Sequence, residues 1–434
     1  MSGLMIAAPS TGSGKTTVTL GLLRALKKAG HAIAPGKAGP DYIDPAFHAA
    51  ASGELCLNFD PWGMRKELLL ANAALHASGG KTLVIEAMMG LFDGAADGNG
   101  SAADLASILG LSVVLVVDCA RASHSIAALV SGFANYRIDT RIVGVILNRV
   151  GSERHELMLR HAMERIRMPV FAVIRTEKAL EIPERHLGLV QAGEHDELDS
   201  FIEHASEVVA AECDLNVLLR AARHIPDRPS EANIDRLPPL GQRIAVARDV
   251  AFAFSYEHML MGWRRRGAEI SFFSPLANEA PAADADAVYL PGGYPELQPG
   301  KIASAQAFRA GVFAARDRGA RVFGECGGYM VMGEGLIDAN GERHEMLGLL
   351  PVVTSFETRS RHLGYRRIKP LGAFFQAPMT GHEFHYATVV SEGEGESLFS
   401  AVDALNNDLG TFGRQRGNVA GSFLHLIDIG GGPA

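Results

Sequence analysis

Short, nearly continuous apolar runs alternate with longer helical stretches through the first half of the chain. The runs are LMIAA (4–8), TLVIEA (82–87), VVLVVD (113–118), IVGVILN (142–148) and PVFAVI (169–174). A run that is apolar at almost every position, rather than at alternate ones, predicts a strand buried on both faces. Such strands belong to parallel sheets covered by helices. TTVTLGLLRALKKAG (16–30) is one covering helix, with Lys27 and Lys28 in its last turn and Gly30 as its stop. The glycine punctuation fades around 200–240, where RHIPDRPSEANIDRLPPLGQ (223–242) is rich in proline and charge and reads as a linker. A second series follows with RIAVARD (243–249), EISFFSP (269–275), AVYLPGG (287–293) and RVFGEC (321–326). The expected fold class is α/β in two domains, 1–225 and 241–434, with a linker at 226–240.

Composition mostly excludes. A length of 434 residues suits two to three domains at roughly 100–200 residues each. A net charge of -8 without a basic run gives no footprint for nucleic acid or anionic membranes. Cys56, Cys119, Cys213 and Cys326 form no CxxC pair and no disulfide framework. No apolar run reaches the roughly 18 residues of a membrane span, and no basic-then-apolar leader precedes the first strand. A cytoplasmic location is expected, with no nucleic-acid or membrane partner.

The chemistry begins at APSTGSGKTT (8–17), which follows a strand and opens a helix. That is the setting of a phosphate loop, whose backbone N–H groups, at Gly12 and Gly14 among others, face phosphates. Lys15 would pair with the β- and γ-phosphates, and the Thr16 hydroxyl would ligate Mg²⁺, beside Thr17. Pro9 stands where the common form of the loop carries its first glycine. Partitioning-type ATPases place a second lysine early in such a loop, where this chain has Ser10 and Thr11. Two acidic stretches follow strand positions, where ligands of open α/β sheets gather. GKAGPDYIDPAFH (36–48) carries Lys37, Asp41 and Asp44; VIEAMMGLFDGAADG (84–98) carries Glu86, Asp93 and Asp97. A carboxylate ending an apolar strand is costly unless it meets a cation, so Glu86 fits a Mg²⁺ ligand or a group just behind one. Asp41 and Asp44, beside Pro40 and Pro45, also suit plain turn formers.

In the second half, RVFGECGGYM (321–330) reads as strand, tight turn and helix, with G-x-C-x-G in the turn. It parallels the G-x-S-x-G nucleophile elbow and makes Cys326 a candidate nucleophile. The helix start would favour its thiolate, and the Gly327 N–H would help hold an oxyanion. LPGGYPE (290–296) offers Gly292 and Gly293 as further backbone donors. A thiol needs a base: His425 in GSFLHLI (421–427) is the leading candidate, with His382 and His385 of GHEFHY (381–386) as rivals. Cys56, Cys119 and Cys213 lack the glycine setting and read as buried fillers.

GPDYIDPAFH, MMGLFDG, ERHLGLV (184–190), ARDVAFAF (247–254), PGGYPE, GECGGYM and GHEFHY, in this order, resemble the cobyrinic and hydrogenobyrinic acid a,c-diamide synthase family. The resemblance covers nearly the whole chain, weakening near 150–180 and 195–240. It implies a dethiobiotin-synthetase-like P-loop domain followed by a class I (triad-type), flavodoxin-like glutamine amidotransferase domain. It also implies ATP and Mg²⁺, glutamine and a corrinoid polycarboxylate as partners, and a homodimer. Cys326 then matches the glutaminase nucleophile and His425 its base. Asp41, Tyr42, Glu86 and Asp93 match the synthetase site, with Lys37 and Tyr42 on the substrate side. Asn148 in ILNRV matches the position that holds adenine. The family's loop opens one residue earlier, so Ala8, not Pro9, replaces its first glycine. Ile427 stands where ordinary triads have glutamate, and Asp428 would face away on a regular strand. Ala87 replaces a common glycine. The sister cobyric acid synthase and a nickel-sirohydrochlorin a,c-diamide synthase are the neighbouring readings. A nucleotide-switch ATPase with a structural C-terminal domain is the reading from another class.

Overall fold

A computed structural model describes residues 2–181, 184–185, 188–189, 191, 197–225 and 234–430. The chain divides into two compact units, Met1–Trp62 with Lys66–Ile234, and Gly63–Arg65 with Asp235–Ala434.

The first unit is built on strands β1 (Ser2–Ala7), β2 (Ile33–Ala38), β3 (Leu57–Phe59), β4 (Thr82–Glu86), β5 (Ser112–Asp118), β6 (Arg141–Val150) and β7 (Val170–Arg175). They lie in the order β3-β2-β4-β1-β5-β6-β7, and all of these pairings are parallel. Continuous apolarity has the expected consequence: Leu4–Ala7 and Val113–Val117 are wholly buried. Helix α1 (Lys15–Lys28) follows β1, and Gly30 closes it with φ 80° and an N–H bond to the Lys27 carbonyl. Its first turn has no side-chain cap, a lack worth about 1 kcal/mol. Burial of Val18, Leu22, Leu23 and Leu26 on its inner face outweighs that, at roughly 1.5–3 kcal/mol each. The uncapped N–H groups therefore stay available at the carboxyl edge of the sheet. Helix α2 (Asp44–Ser52) follows β2. ERHLGLV contributes the short pair β8 (Glu184–Arg185) and β9 (Gly188–Leu189); its side chains lie outside the described residues. β10 (Arg223–His224) adds antiparallel to β1. The proposed linker lies outside the described residues over 226–233.

The second unit opens with β11 (Arg243–Ala247), β12 (Glu269–Phe273), β13 (Ala287–Leu290) and β14 (Arg321–Glu325). Ten more strands follow: β15 (Gly335–Ile337), β16 (Arg343–Glu345), β17 (Val352–Ser355), β18 (His362–Pro370), β19 (Met379–His385), β20 (Thr388–Glu392), β21 (Glu396–Val402), β22 (Asp408–Arg416), β23 (Val419–Ser422) and β24 (Leu424–Ile429). The parallel part runs β12-β11-β13-β14-β23. That is the flavodoxin-like 2-1-3-4-5 order. From β23 the same sheet continues antiparallel through β22, β21, β18, β19 and β24. β16-β15-β17-β20 form a separate sheet. Phe308, Val312, Tyr329, Met330 and Val331 fill the core beside β14. No helix among the described residues is long and apolar enough to cross a membrane.

Candidate active sites

Each unit carries one site at the carboxyl edge of its parallel strands. In the first, the turn after β1 reaches Gly14 with φ 84°, a left-handed conformation that side chains rarely adopt. The Asn148 amide, on β6, fills the space beside it and donates from Nδ2 to the Ser13 carbonyl at 2.9 Å. Asn148 thus holds the loop's shape and also lines a cleft with Gly14, Thr17, Arg175, Thr176 and Leu180. The Thr17 hydroxyl is engaged, donating to the Leu180 carbonyl at 3.1 Å. Thr16 Oγ1 donates to Glu86 Oε1 at 2.7 Å.

Glu86 is the hub. It ends β4 in register with Lys37 of β2, and Lys37 Nζ lies 2.9 Å from Glu86 Oε1. Lys37 also donates to Asp44 and stands 3.7 Å from Asp41 Oδ2. The His48 Nε2–H donates to Glu86 Oε2 at 2.7 Å, and Cys56 Sγ packs 3.6 Å from His48 Nδ1. Burial works to lower the Lys37 pKa, yet the charges of Asp44, Glu86 and Asp41 outweigh it and hold the ammonium well above its ordinary range. Burial works to raise Glu86, and Lys37 and His48 outweigh it, keeping the carboxyl well below the usual carboxylate range. One ammonium does not serve three carboxylates equally: burial and then the Asp41 charge push Asp44 up to about 6. Lys15 is lowered by burial, partly opposed by Glu86.

Asp41 does two jobs. Its Oδ1 accepts the Ile43 and Asp44 amides at 2.9 and 3.0 Å, the turn former's role, while Oδ2 faces Lys37. Tyr42 is half-buried beside it. Asp93 accepts the Gly90 amide at 2.9 Å and its charge reaches Lys15. Asp97 instead takes the Trp62 indole N–H at 3.2 Å and the Asn99 amide at 3.1 Å, bracing its own loop. His48, Arg149 and Asp118 were not singled out from the sequence. Arg149 bridges the Gly12 carbonyl at 2.8 Å and Asp118 at 2.7 Å. For His48 a signal existed: it sits one helical turn after Asp44.

In the second unit, Cys326 joins β14 to the helix Gly327–Met332 with φ 47° and ψ -107°. A non-glycine residue there is strained by about 1–3 kcal/mol and persists only where the surroundings impose it. They do: the Cys326 amide donates to the Ser422 carbonyl at 2.8 Å, and any side chain at Gly328 would overlap the Leu290 carbonyl. Cys326 Sγ lies 3.6 Å from the Phe384 carbonyl. The sequence pattern predicts a thiolate favoured by the helix start, and here the structure differs. Burial, then the charge of Glu296, hold the resting thiol above its ordinary range, and the Gly327 amide only partly opposes them. A one-and-a-half-turn helix has too little dipole to reverse that.

His425 of β24 is fully buried. A side chain at Gly292 would sit 3.1 Å from His425 Nε2 and 3.3 Å from Cys326 Cβ, so histidine and cysteine flank the same glycine. The Gly293 amide nitrogen lies 3.0 Å from the place a Gly327 side chain would take, which brings these two donors together. His382 stands opposite His425 on β19. His385 is bound to Glu383 at 3.0 Å and to the Ala387 carbonyl at 3.1 Å, and Glu383 is paired with Arg366 at 2.6 Å. The rival histidines thus lie close to His425. Burial, followed by His382 and His385, lowers His425 to about 3. Asp428 belongs elsewhere, accepting the Arg65 amide at 2.9 Å and its Nε at 3.0 Å.

Residues 4–190 match the CobQ/CobB/MinD/ParA nucleotide binding domain, and residues 243–429 the CobB/CobQ-like glutamine amidotransferase domain. A hydrogenobyrinate a,c-diamide synthase of Sinorhizobium sp is 67% identical over 432 residues, covering 99% of this chain and 100% of that protein. Proteins of the same name from Rhizobium meliloti (strain 1021) and Mesorhizobium japonicum are 66% and 48% identical. They cover 99% and 98% of this chain, and 100% and 98% of their own lengths. The chain belongs to the hydrogenobyrinate a,c-diamide synthase family. It is an amide-forming ligase that joins a nucleotide-binding domain to a glutamine amidotransferase domain. Family membership along the whole length sets aside the nucleotide switch with a merely structural second half.

Proposed function

We propose that this ligase amidates the c and then the a acetate carboxylate of hydrogenobyrinic acid in cobalamin biosynthesis, using ATP and glutamine. Full-length identity of 67% to a synthase of that name carries the substrate assignment. The division of labour follows from chemistry: a carboxylate oxygen is a poor leaving group, and a phosphate is a good one. A substrate carboxylate oxygen attacks the γ-phosphorus, ADP leaves, and ammonia then attacks the acyl carbon and expels phosphate. Lys15 and the uncapped N–H groups of α1 hold the phosphates, with Gly12, Gly14 and Thr17 shaping the loop and Asn148 facing adenine. Thr16 and Glu86, hard oxygen donors 2.7 Å apart, fit Mg²⁺, which would offset the phosphates' negative charge. Lys37 and Tyr42 orient the substrate carboxylate beside Asp41 and Asp93.

Ammonia is released in the other half. Cys326 Sγ attacks the glutamine amide carbon as its proton passes to His425, which delivers it to the leaving ammonia; water then hydrolyses the thioester to glutamate. The Gly293 and Gly327 amides, with Gly292, receive the oxyanion. In this reading the synthetase half spans 1–225, the linker 226–240 and the glutaminase half 241–434. A cytoplasmic homodimer rests on the family resemblance.

Cys326→Ser, assayed with both nitrogen donors, tests the scheme. Glutamine-dependent amidation should fall by at least about 10³-fold, while amidation with free ammonia persists. Loss of both would refute two separate sites.

A further inference from the structure

The glutaminase pair lacks the acidic residue that usually follows its histidine. Ile427 occupies that position, and Asp428 is held by Arg65. A different carboxylate stands against His425. Glu325, the residue before Cys326, is fully enclosed, and its Oε2 lies 3.7 Å from His425 Nδ1. Two donors fix it there. The Tyr289 hydroxyl donates to Oε2 at 2.7 Å, and the amide of Leu426, next to His425 in the chain, donates to Oε1 at 3.1 Å. The same carboxylate therefore holds the backbone of the histidine and faces its ring.

Resting on the glutaminase reading above, we propose that Glu325 is the positioning residue of the site: its carboxylate orients the His425 ring with Nδ1–H toward itself and Nε2 toward Cys326. A separation of 3.7 Å exceeds a hydrogen bond. Catalytic hydrogen bonds are often long before substrate arrives and tighten in the complex. Transfer of the thiol proton to Nε2 makes an imidazolium whose Nδ1–H points at Glu325. A carboxylate there stabilises that cation in a site closed to water. Burial raises Glu325 to about 8, against the pull of Tyr289 and Leu426, and lowers His425 to about 3. The ionised carboxylate that this role needs therefore gains population as pH rises toward 8, its proton passing to solvent before the thiol proton moves to Nε2.

Glu325→Gln keeps the shape and removes the charge. Glutamine hydrolysis should lose about 10²- to 10⁴-fold in kcat; neutralising the orienting carboxylate of a serine-protease triad costs about 10⁴-fold. KM for glutamine should stay within about threefold, ammonia-driven amidation within about twofold, and Glu325→Asp should recover about tenfold over Gln. Wild-type-like hydrolysis by Glu325→Gln, or a loss confined to KM, overturns the proposal. If ammonia-driven activity also collapses, the variant is misfolded, and Tyr289→Phe decides. It removes one hydroxyl from Glu325, should cut kcat about three- to tenfold, and overturns the proposal if kcat is unchanged. The parent reading fails separately: Cys326→Ser would still use glutamine, whatever Glu325 does.

Discussion

The two sites handle buried charge in opposite ways. Around Glu86 the first unit keeps Glu86 and Lys37 ionised; Lys37, Thr16 and His48 all bond to a carboxylate that water does not reach. Around Cys326 the second unit keeps its groups neutral. Thiol, imidazole and Glu325 each sit where burial, the largest influence, disfavours the charged form. The contrast suits the two tasks. A site that meets polyphosphate and a carboxylate needs fixed charges in place before substrate arrives. A site that makes a charge only during thioester formation needs a dry pocket and a proton path. The stability of the first unit should therefore depend on charge complementarity, and that of the second on shape.

The largest expected effect lies on the ionised side. Lys15→Ala should abolish amidation with glutamine and with ammonia alike, by about 10³-fold or more. Glutamine hydrolysis to glutamate, followed alone, should survive within about tenfold. Ammonia-driven amidation at parental rate in this variant would take the phosphate loop out of the reaction. Next comes Lys37→Met, which leaves Glu86 and Asp44 buried without their cation. Breaking one partner out of a buried ionic group costs about 3–5 kcal/mol, so the first unit should melt well before the second. Removing the proposed nucleophile of the neutral site should do nothing comparable: Cys326→Ala is expected within about 1 kcal/mol of the parent. Equal losses from the two substitutions in denaturant titrations would erase the contrast.

How much of this was readable in advance follows the same physics. Continuous apolar runs announced β1, β4, β5 and β6, because strands buried on both faces have no alternative composition. β2 was not announced. Its sequence IAPGKA carries Pro35 and Gly36, signals against a central strand. Gly36 is there because any side chain would crowd the Phe59 ring at 2.9 Å. β18 and β22 of the second sheet were equally silent, since they lie largely open and carry mixed polarity. Lys15, Thr16 and Cys326 stood out as candidates because each motif is packed into one contiguous turn. His48 and Glu325 sat inside quoted motifs and still went unassigned. Their roles depend on partners 38 and 100 positions away (Glu86 and His425), which only the fold brings near.

The smallest prediction concerns pH and isolates the neutral site. The folded-state pKa of Glu325, about 8, lies above its ordinary value of 4.5, with burial as the main cause. Between those values the folded protein keeps a proton that the unfolded chain releases. This contribution to stability is full below about pH 4.5 and is lost as pH rises through about 8. Around Glu325, Tyr289 from β13 donates its hydroxyl proton to the carboxyl group, Cys326 beside it is held above its ordinary range by burial, and His425 from β24, lowered to about 3, stays neutral. Behind His425 stand His382, His385 and Glu383 of β19, which parent and variant share. Glu325→Gln cannot ionise, so its stability relative to the parent should rise steadily from pH 5 to pH 8. Thermal unfolding at matched ionic strength measures this difference. Parallel curves for the two proteins would mean that Glu325 is ionised and paired in the resting site, which would make the glutaminase pocket as charged as the synthetase one.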